Sequence, residues 1–137
     1  MFMVRCYRKG YVAELSLTHT LSGMGWMVIR APRSGRIGLP SPDIVAAKIG
    51  KLVVIECKSR QEAFTVPVEQ LAELDEWVAK AGAEAFIGWK ISRKGWTFLK
   101  LDDVKQNKGN IGKKFAAEKG ICMDIFGDVS NEKRTAN

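Results

Sequence analysis

Asp43, Glu56 and Lys58 are the residues whose types and spacing could do chemistry. They lie in the stretch Pro42–Lys58, PDIVAAKIGKLVVIECK, where two apolar runs rich in β-branched residues flank a polar break at Gly50. That pattern predicts a β-hairpin. With the turn centred on Ile49-Gly50 the pairing is symmetric, and Asp43 falls opposite Glu56. Opposed residues on one face have Cβ atoms roughly 4.5–5.5 Å apart, so the two carboxylates repel. Lys58 is two residues past Glu56 and shares its face by strand alternation. A divalent cation held by the carboxylates would remove the repulsion, leaving the ammonium free to act on a water or a phosphate. This is the outline of a metal-dependent nuclease site. A turn of odd length would face Asp43 elsewhere and leave three scattered surface charges.

The charge distribution favours an anionic polymer as partner. The net charge is +7, and residues 1–60 hold ten Lys or Arg against three acids, Glu14, Asp43 and Glu56, so the remainder is neutral overall. A cationic field around a small acidic cluster suits nucleic acid. No basic amphipathic helix supports an anionic membrane surface instead, and no apolar run approaches the roughly 20 residues needed to cross a bilayer. The start, MFMVRCYRKG, lacks a signal-peptide pattern, so a cytoplasmic location is expected. Cys6, Cys57 and Cys122 are odd in number and widely spaced, suggesting neither a disulfide framework nor a zinc site. Cys57 faces away from Glu56 and Lys58, where a small buried hydrophobe fits.

The elements that must position these residues follow from hydrophobic period. Residues 1–9 read as a basic flexible arm, 10–126 as a single nuclease domain and 127–137 as a flexible tail. Ala13, Leu17, Leu21 and Met24 follow helical spacing, and Gly23 and Gly25 mark the helix end. Glu14 borders that stripe and either leans over the sheet or stays solvated. His19, the single histidine, falls on the solvent side. Trp26–Ile29 reads as a strand leading into a long loop, where Arg30, Arg33, Ser34 and Arg36 suit phosphates; a plain linker is the alternative. After Pro67 a helix should bury Leu71, Leu74, Val78 and Ala81 and stop at Gly82. Glu69, Glu73, Asp75 and Glu76 read as its solvated face, and Gln70 as a residue able to reach a metal's water shell. Residues 85–90 and 96–101 form a second hairpin with apolar groups on both faces, one of them open to cover by a second subunit. The four tryptophans suit a core or interface better than nucleobase stacking. Residues 102–119 are short, polar and glycine-broken, and 121–126 form an apolar patch able to pack back. This order describes an α/β fold, a mixed β-sheet flanked by helices.

Three spaced motifs are similar to a known family: RKG-x3-E at Arg8–Glu14, R-x3-S at Arg30–Ser34, and PD-x12-E-x-K at Pro42–Lys58. Residues 8–101 resemble the archaeal Holliday junction resolvases, members of the PD-(D/E)xK nuclease superfamily with the restriction-endonuclease-like fold. The resemblance implies a homodimer that binds four-way junction DNA and cuts two opposing strands symmetrically with Mg2+ or Mn2+. It assigns Glu14, Asp43 and Glu56 to the metal site, Lys58 to catalysis, and Arg8, Lys9, Arg30, Arg33, Ser34 and Arg36 to the DNA. Leu15 stands where the family often has arginine, and the segment after residue 101 has no placed counterpart.

The function expected is therefore a structure-selective, metal-dependent endodeoxyribonuclease. One alternative keeps the chemistry on duplex, flap or damaged DNA. Another is a DNA-binding module without turnover, which the intact acidic set argues against. A pure protein-interaction domain fits the asymmetric basic half least.

Overall fold

The computed structural model describes residues 2–31 and 38–127. Its centre is a five-stranded sheet built from β1 (Met27–Arg30), β2 (Ile44–Lys48), β3 (Lys51–Ser59), β5 (Glu84–Lys90) and β6 (Trp96–Lys100), in the order β1-β2-β3-β5-β6. β3 and β5 are parallel and every other neighbouring pair is antiparallel. A short second sheet pairs β4 (Phe64–Thr65) with β7 (Asn110–Ile111). The helices are α1 (Phe2–Gly23), α2 (Val68–Ala81), α3 (Leu101–Gln106) and α4 (Lys113–Lys119). This is the mixed α/β sheet the residue pattern predicts.

The first hairpin forms with the even turn. Lys48 pairs with Lys51 and Ile44 with Ile55, leaving Ile49 and Gly50 as the two loop residues. Gly50 takes φ 75°, a left-handed conformation that costs glycine little. Alternation then sorts the side chains. Ile44, Ala46, Val53 and Ile55 pack with Leu17 and Leu21 of α1 on one face. Val54 packs with Leu71, Leu74, Ile87, Trp89 and Leu99 on the other.

Several expectations need correction. α1 begins at Phe2 rather than near Gly10, so its backbone includes residues expected to be a loose arm. That segment holds no proline, and one glycine inside a helix costs only about 1 kcal/mol. In α2, Leu71 and Leu74 are buried but Val78 and Ala81 are exposed. Trp77 supplies cover instead, its indole N–H donating to Pro40 O at 3.1 Å. Pro67 stands just before α2, and Gly82 ends it at φ 69° as expected.

The second hairpin is covered on both faces by this chain. Phe86 and Phe98 meet Phe126, whose ring lies 5.3 and 4.9 Å from theirs. Phe126 ends a 3-10 turn, Met123–Phe126, and its carbonyl accepts the Trp26 indole N–H at 2.7 Å. The segment after residue 101 is thus structural, contributing most of α3, β7, α4 and buried Val104, Ile111 and Phe126. All four tryptophans are buried or partly buried, in keeping with core roles. Residues 128–137, expected as a tail, lie outside the described residues.

Candidate active site

Asp43 sits one position before β2 and Glu56 inside β3. Continuing the ladder one step past Ile44–Ile55 sets them opposite each other, as the symmetric turn requires. Each carboxylate is held by the other strand's backbone. The Cys57 N–H donates to Asp43 Oδ2 at 2.8 Å, and the Asp43 N–H favours ionised Glu56.

Glu56 carries the largest electrostatic cost. Burial first, then the Asp43 carboxylate, push it up to about 8 from 4.5, against Lys58 and the Asp43 N–H, with a further upward push from Glu14. Asp43 is pushed up as well, mainly by burial, although the Cys57 N–H, Lys58 and Arg30 favour its charged form. Lys58 Nζ lies 3.9 Å from Glu56 Oε2, with the two side chains 11% and 17% exposed. At that exposure the pair is desolvated, and one ammonium does not balance two carboxylates. Burial first, then the surrounding carboxylates, push the Cys57 thiol well up, so it stays neutral behind the site.

Glu14 reaches the site from α1, paired with Arg30 at 3.4 Å. The Arg30 guanidinium also lies over the Tyr11 ring, 4.6 Å from its centre. Tyr11 carried no signal as a site residue, although its place one turn before Glu14 puts both on one helix face. Among the described residues no three of His, Cys, Asp and Glu converge as a metal-holding group. Asp43 and Glu56 therefore form the compact pair, with Glu14 drawn toward Arg30. Arg8 and Lys9 fall in the backbone of α1; Arg33, Ser34 and Arg36 lie outside the described residues. The acids of α2 behave as a solvated face, with Asp75 2.8 Å from Lys105 and Glu76 2.8 Å from Lys80.

The donor set fits a hard divalent cation. It consists of carboxylate oxygens that disfavour each other's charge, which such an ion relieves. Gln70, on the first turn of α2, adds a buried Oε1 with no hydrogen-bond partner. α2 packs over the face that Val54, Glu56 and Lys58 share by alternation. An acceptor left without a donor there suits a cation or its water shell.

A mixed sheet that presents Asp and Glu-x-Lys on two neighbouring strands is the arrangement of a PD-(D/E)xK nuclease. Comparison with known proteins agrees. The archaeal Holliday junction resolvase (Hjc) family matches residues 5–135, so the correspondence continues beyond residue 101. The crossover junction endodeoxyribonuclease Hjc of Sulfolobus acidocaldarius is 36% identical over 103 residues, covering 73% of this chain and 71% of that protein. Its namesake from Archaeoglobus fulgidus is 31% identical over 103 residues, covering 74% and 76%. The solved structure of Archaeoglobus fulgidus Hjc, titled a Holliday junction resolvase from an archaeal hyperthermophile, superimposes with a TM-score of 0.74 at 28% identity. It covers 82% of this chain and 94% of that one. The chain belongs to the archaeal Holliday junction resolvase family.

Proposed function

We propose that this protein is a Mg2+- or Mn2+-dependent endodeoxyribonuclease that resolves four-way DNA junctions by cutting opposing strands symmetrically, acting as a homodimer inside the cell. The observation that carries the chemistry is the opposed Asp43–Glu56 pair, buried, mutually repelling and flanked by Lys58. The family it belongs to carries the substrate.

Asp43 and Glu56 would hold the ion, with Glu14 contributing directly or through water and Gln70 facing the water shell. A bound divalent cation supplies charge neutralisation at the scissile phosphate and favours ionised carboxylates. Lys58 orients the attacking water or offsets the charge growing on the phosphoryl oxygens. Water adds to phosphorus, the bond to the 3′ oxygen breaks, and that oxygen takes up a proton, leaving 5′-phosphate and 3′-hydroxyl ends. Arg30, at the end of β1, meets the DNA backbone beside this site.

A second copy would bring a second site to the opposing strand. Met27 and Ile29 on edge strand β1 are 80% and 68% exposed, and supply apolar surface for it to cover. Among the described residues no helix is long and apolar enough to cross a membrane.

The test is cleavage of a labelled four-way junction with Mg2+, beside a flap, a linear duplex and the Glu56→Ala protein. Paired symmetric nicks lost with EDTA and in the variant are expected. Preferential cutting of duplex would overturn the substrate and keep the site. Binding of junctions without any cutting would overturn the enzyme.

A further inference from the structure

Beyond Lys58 the active-site strand is tied to the turn that joins the neighbouring strand β5 to β6. β3 and β5 end together at one edge, with Lys58 beside Trp89 and Ser59 beside Lys90. Arg60 extends the pairing: its N–H donates to Lys90 O at 3.2 Å, and its carbonyl accepts the Trp89 indole N–H at 2.8 Å. Gln61 Oε1 then accepts the Ser92 N–H at 2.8 Å. Inside the β5–β6 turn, the Lys94 N–H donates to Ile91 O at 2.9 Å. The Lys90 ammonium donates to the carbonyls of Ile91 and Lys94 at 3.2 and 2.7 Å. Lys90 is therefore committed to the turn itself.

Arg60, Arg93 and Lys94 are not. All three are exposed, and among the described residues none pairs with a carboxylate. Arg60 lies along the Phe64 ring at 5.8 Å and donates to Ser59 O at 3.2 Å. Arg93 sits at φ 65°, a conformation that non-glycine residues rarely adopt. Glu62 is the single acid in residues 58–63 and 90–96. Gathering like charges on a braced turn, one of them in a strained conformation, does nothing for the fold.

We propose that Arg60, Arg93 and Lys94 form a phosphate clamp that grips the DNA backbone close to the bond being cut. Residues two apart on a strand are separated by roughly 6.6 Å, and neighbouring strands by roughly 4.8 Å. A nucleic-acid strand advances about 3.4 Å per nucleotide along the helix axis, so Arg60 meets a phosphate about two nucleotides from the scissile one and the turn residues meet phosphates beyond it. It lies on the β5 side of the acidic pair, whereas Arg30 lies on the β1 side, so the strand is held on both flanks. The contacts go to phosphate and carry no sequence preference. The clamp rests on the nuclease function proposed above.

The experiment uses the full chain and a fluorescent four-way junction, with a linear duplex alongside, in EDTA, from about 50 to 300 mM KCl. Each lost phosphate contact lowers the slope of log K against log salt by about 0.9. The double variant Arg93→Ala, Lys94→Ala is expected to lose about 2 in slope and at least about tenfold in affinity near 150 mM salt. Arg60→Ala and Arg93→Gly each lose about 1, and Arg93→Gly melts no earlier than wild type, since glycine accepts positive φ. Lys51→Ala, an exposed lysine at the opposite end of β3, binds as wild type does. Slopes for the clamp variants equal to that of Lys51→Ala would overturn the clamp. If wild type binds the junction no better than the duplex but the variants show these losses on duplex, the clamp stands and the junction assignment falls. A wild-type chain that binds no DNA overturns both.

Discussion

The Cys57 backbone N–H donates to Asp43 Oδ2 at 2.8 Å, so the strand that carries Glu56 also anchors the carboxylate that Glu56 repels. The repulsion cannot relax by rotating Asp43 away without abandoning a partly buried N–H. Proton uptake at Glu56 or a bound cation remains as relief.

The metal-free protein should lose stability as pH rises. Glu56 is pushed from 4.5 to about 8, so across that window the folded chain keeps a proton that the unfolded chain has released. The contribution is fully present below about 4.5 and lost as pH passes through about 8, with a slope of up to about 1.4 kcal/mol per pH unit. Asp43, also raised, acts in the same direction. Thermal melts in EDTA should fall between pH 5 and about 8 and level off above it for wild type, and stay flatter for Glu56→Gln. Adding Mn2+ should restore the wild-type melting temperature at high pH; a flat wild-type profile would remove the coupling.

Substitutions at Asp43 should separate its two roles. Asp43→Asn keeps an acceptor for the Cys57 N–H and removes the charge that raises Glu56. It should leave the metal-free protein at least as stable as wild type at pH 8, while cleavage falls at least about 100-fold. Asp43→Ala strands the N–H and should cost about 1–3 kcal/mol in urea unfolding. Equal stability of the two variants would dismiss the anchoring role.

Gln70 presents a buried acceptor without a donor. Replacing it with Met of similar shape should raise metal-free stability by about 1 kcal/mol, since an unsatisfied polar atom is removed. The same variant should need several-fold more Mg2+ for half-maximal cleavage. An unchanged Mg2+ titration would place Gln70 outside the metal's surroundings.

Phe126 closes the α1 face of the sheet, meeting the rings of Trp26, Phe86 and Phe98. Its carbonyl also accepts the Trp26 indole N–H and, at 3.5 Å, the Lys48 ammonium. Phe126→Ala should destabilise by about 3–5 kcal/mol. Removal of residues from Ile121 onward should cost more, because the strand-like bridge of Ile121 to Phe98 is lost as well. Calorimetry would measure both, and a loss below about 1 kcal/mol would make this segment an appendage.

The geometry of the candidate site was legible in the residues alone. A two-residue turn at Ile49-Gly50 and period-two alternation set Asp43 against Glu56 and put Lys58 on their face, because register between adjacent strands follows from local turn geometry. The cap at Gly82 and the solvent side of α2 were legible for the same local reason. What covers each face was not. Helical period marks a stripe on α2 but not how far the sheet extends beneath it, so Val78 and Ala81 lie exposed while Trp77 is the residue that packs. Only the folded chain brought Phe126 onto Trp26, drew Glu14 to Arg30, left Gln70 without a donor and joined Gln61 to the β5–β6 turn. These contacts span long stretches of chain, and they form because burying apolar surface and pairing buried polar groups selects one packing from many.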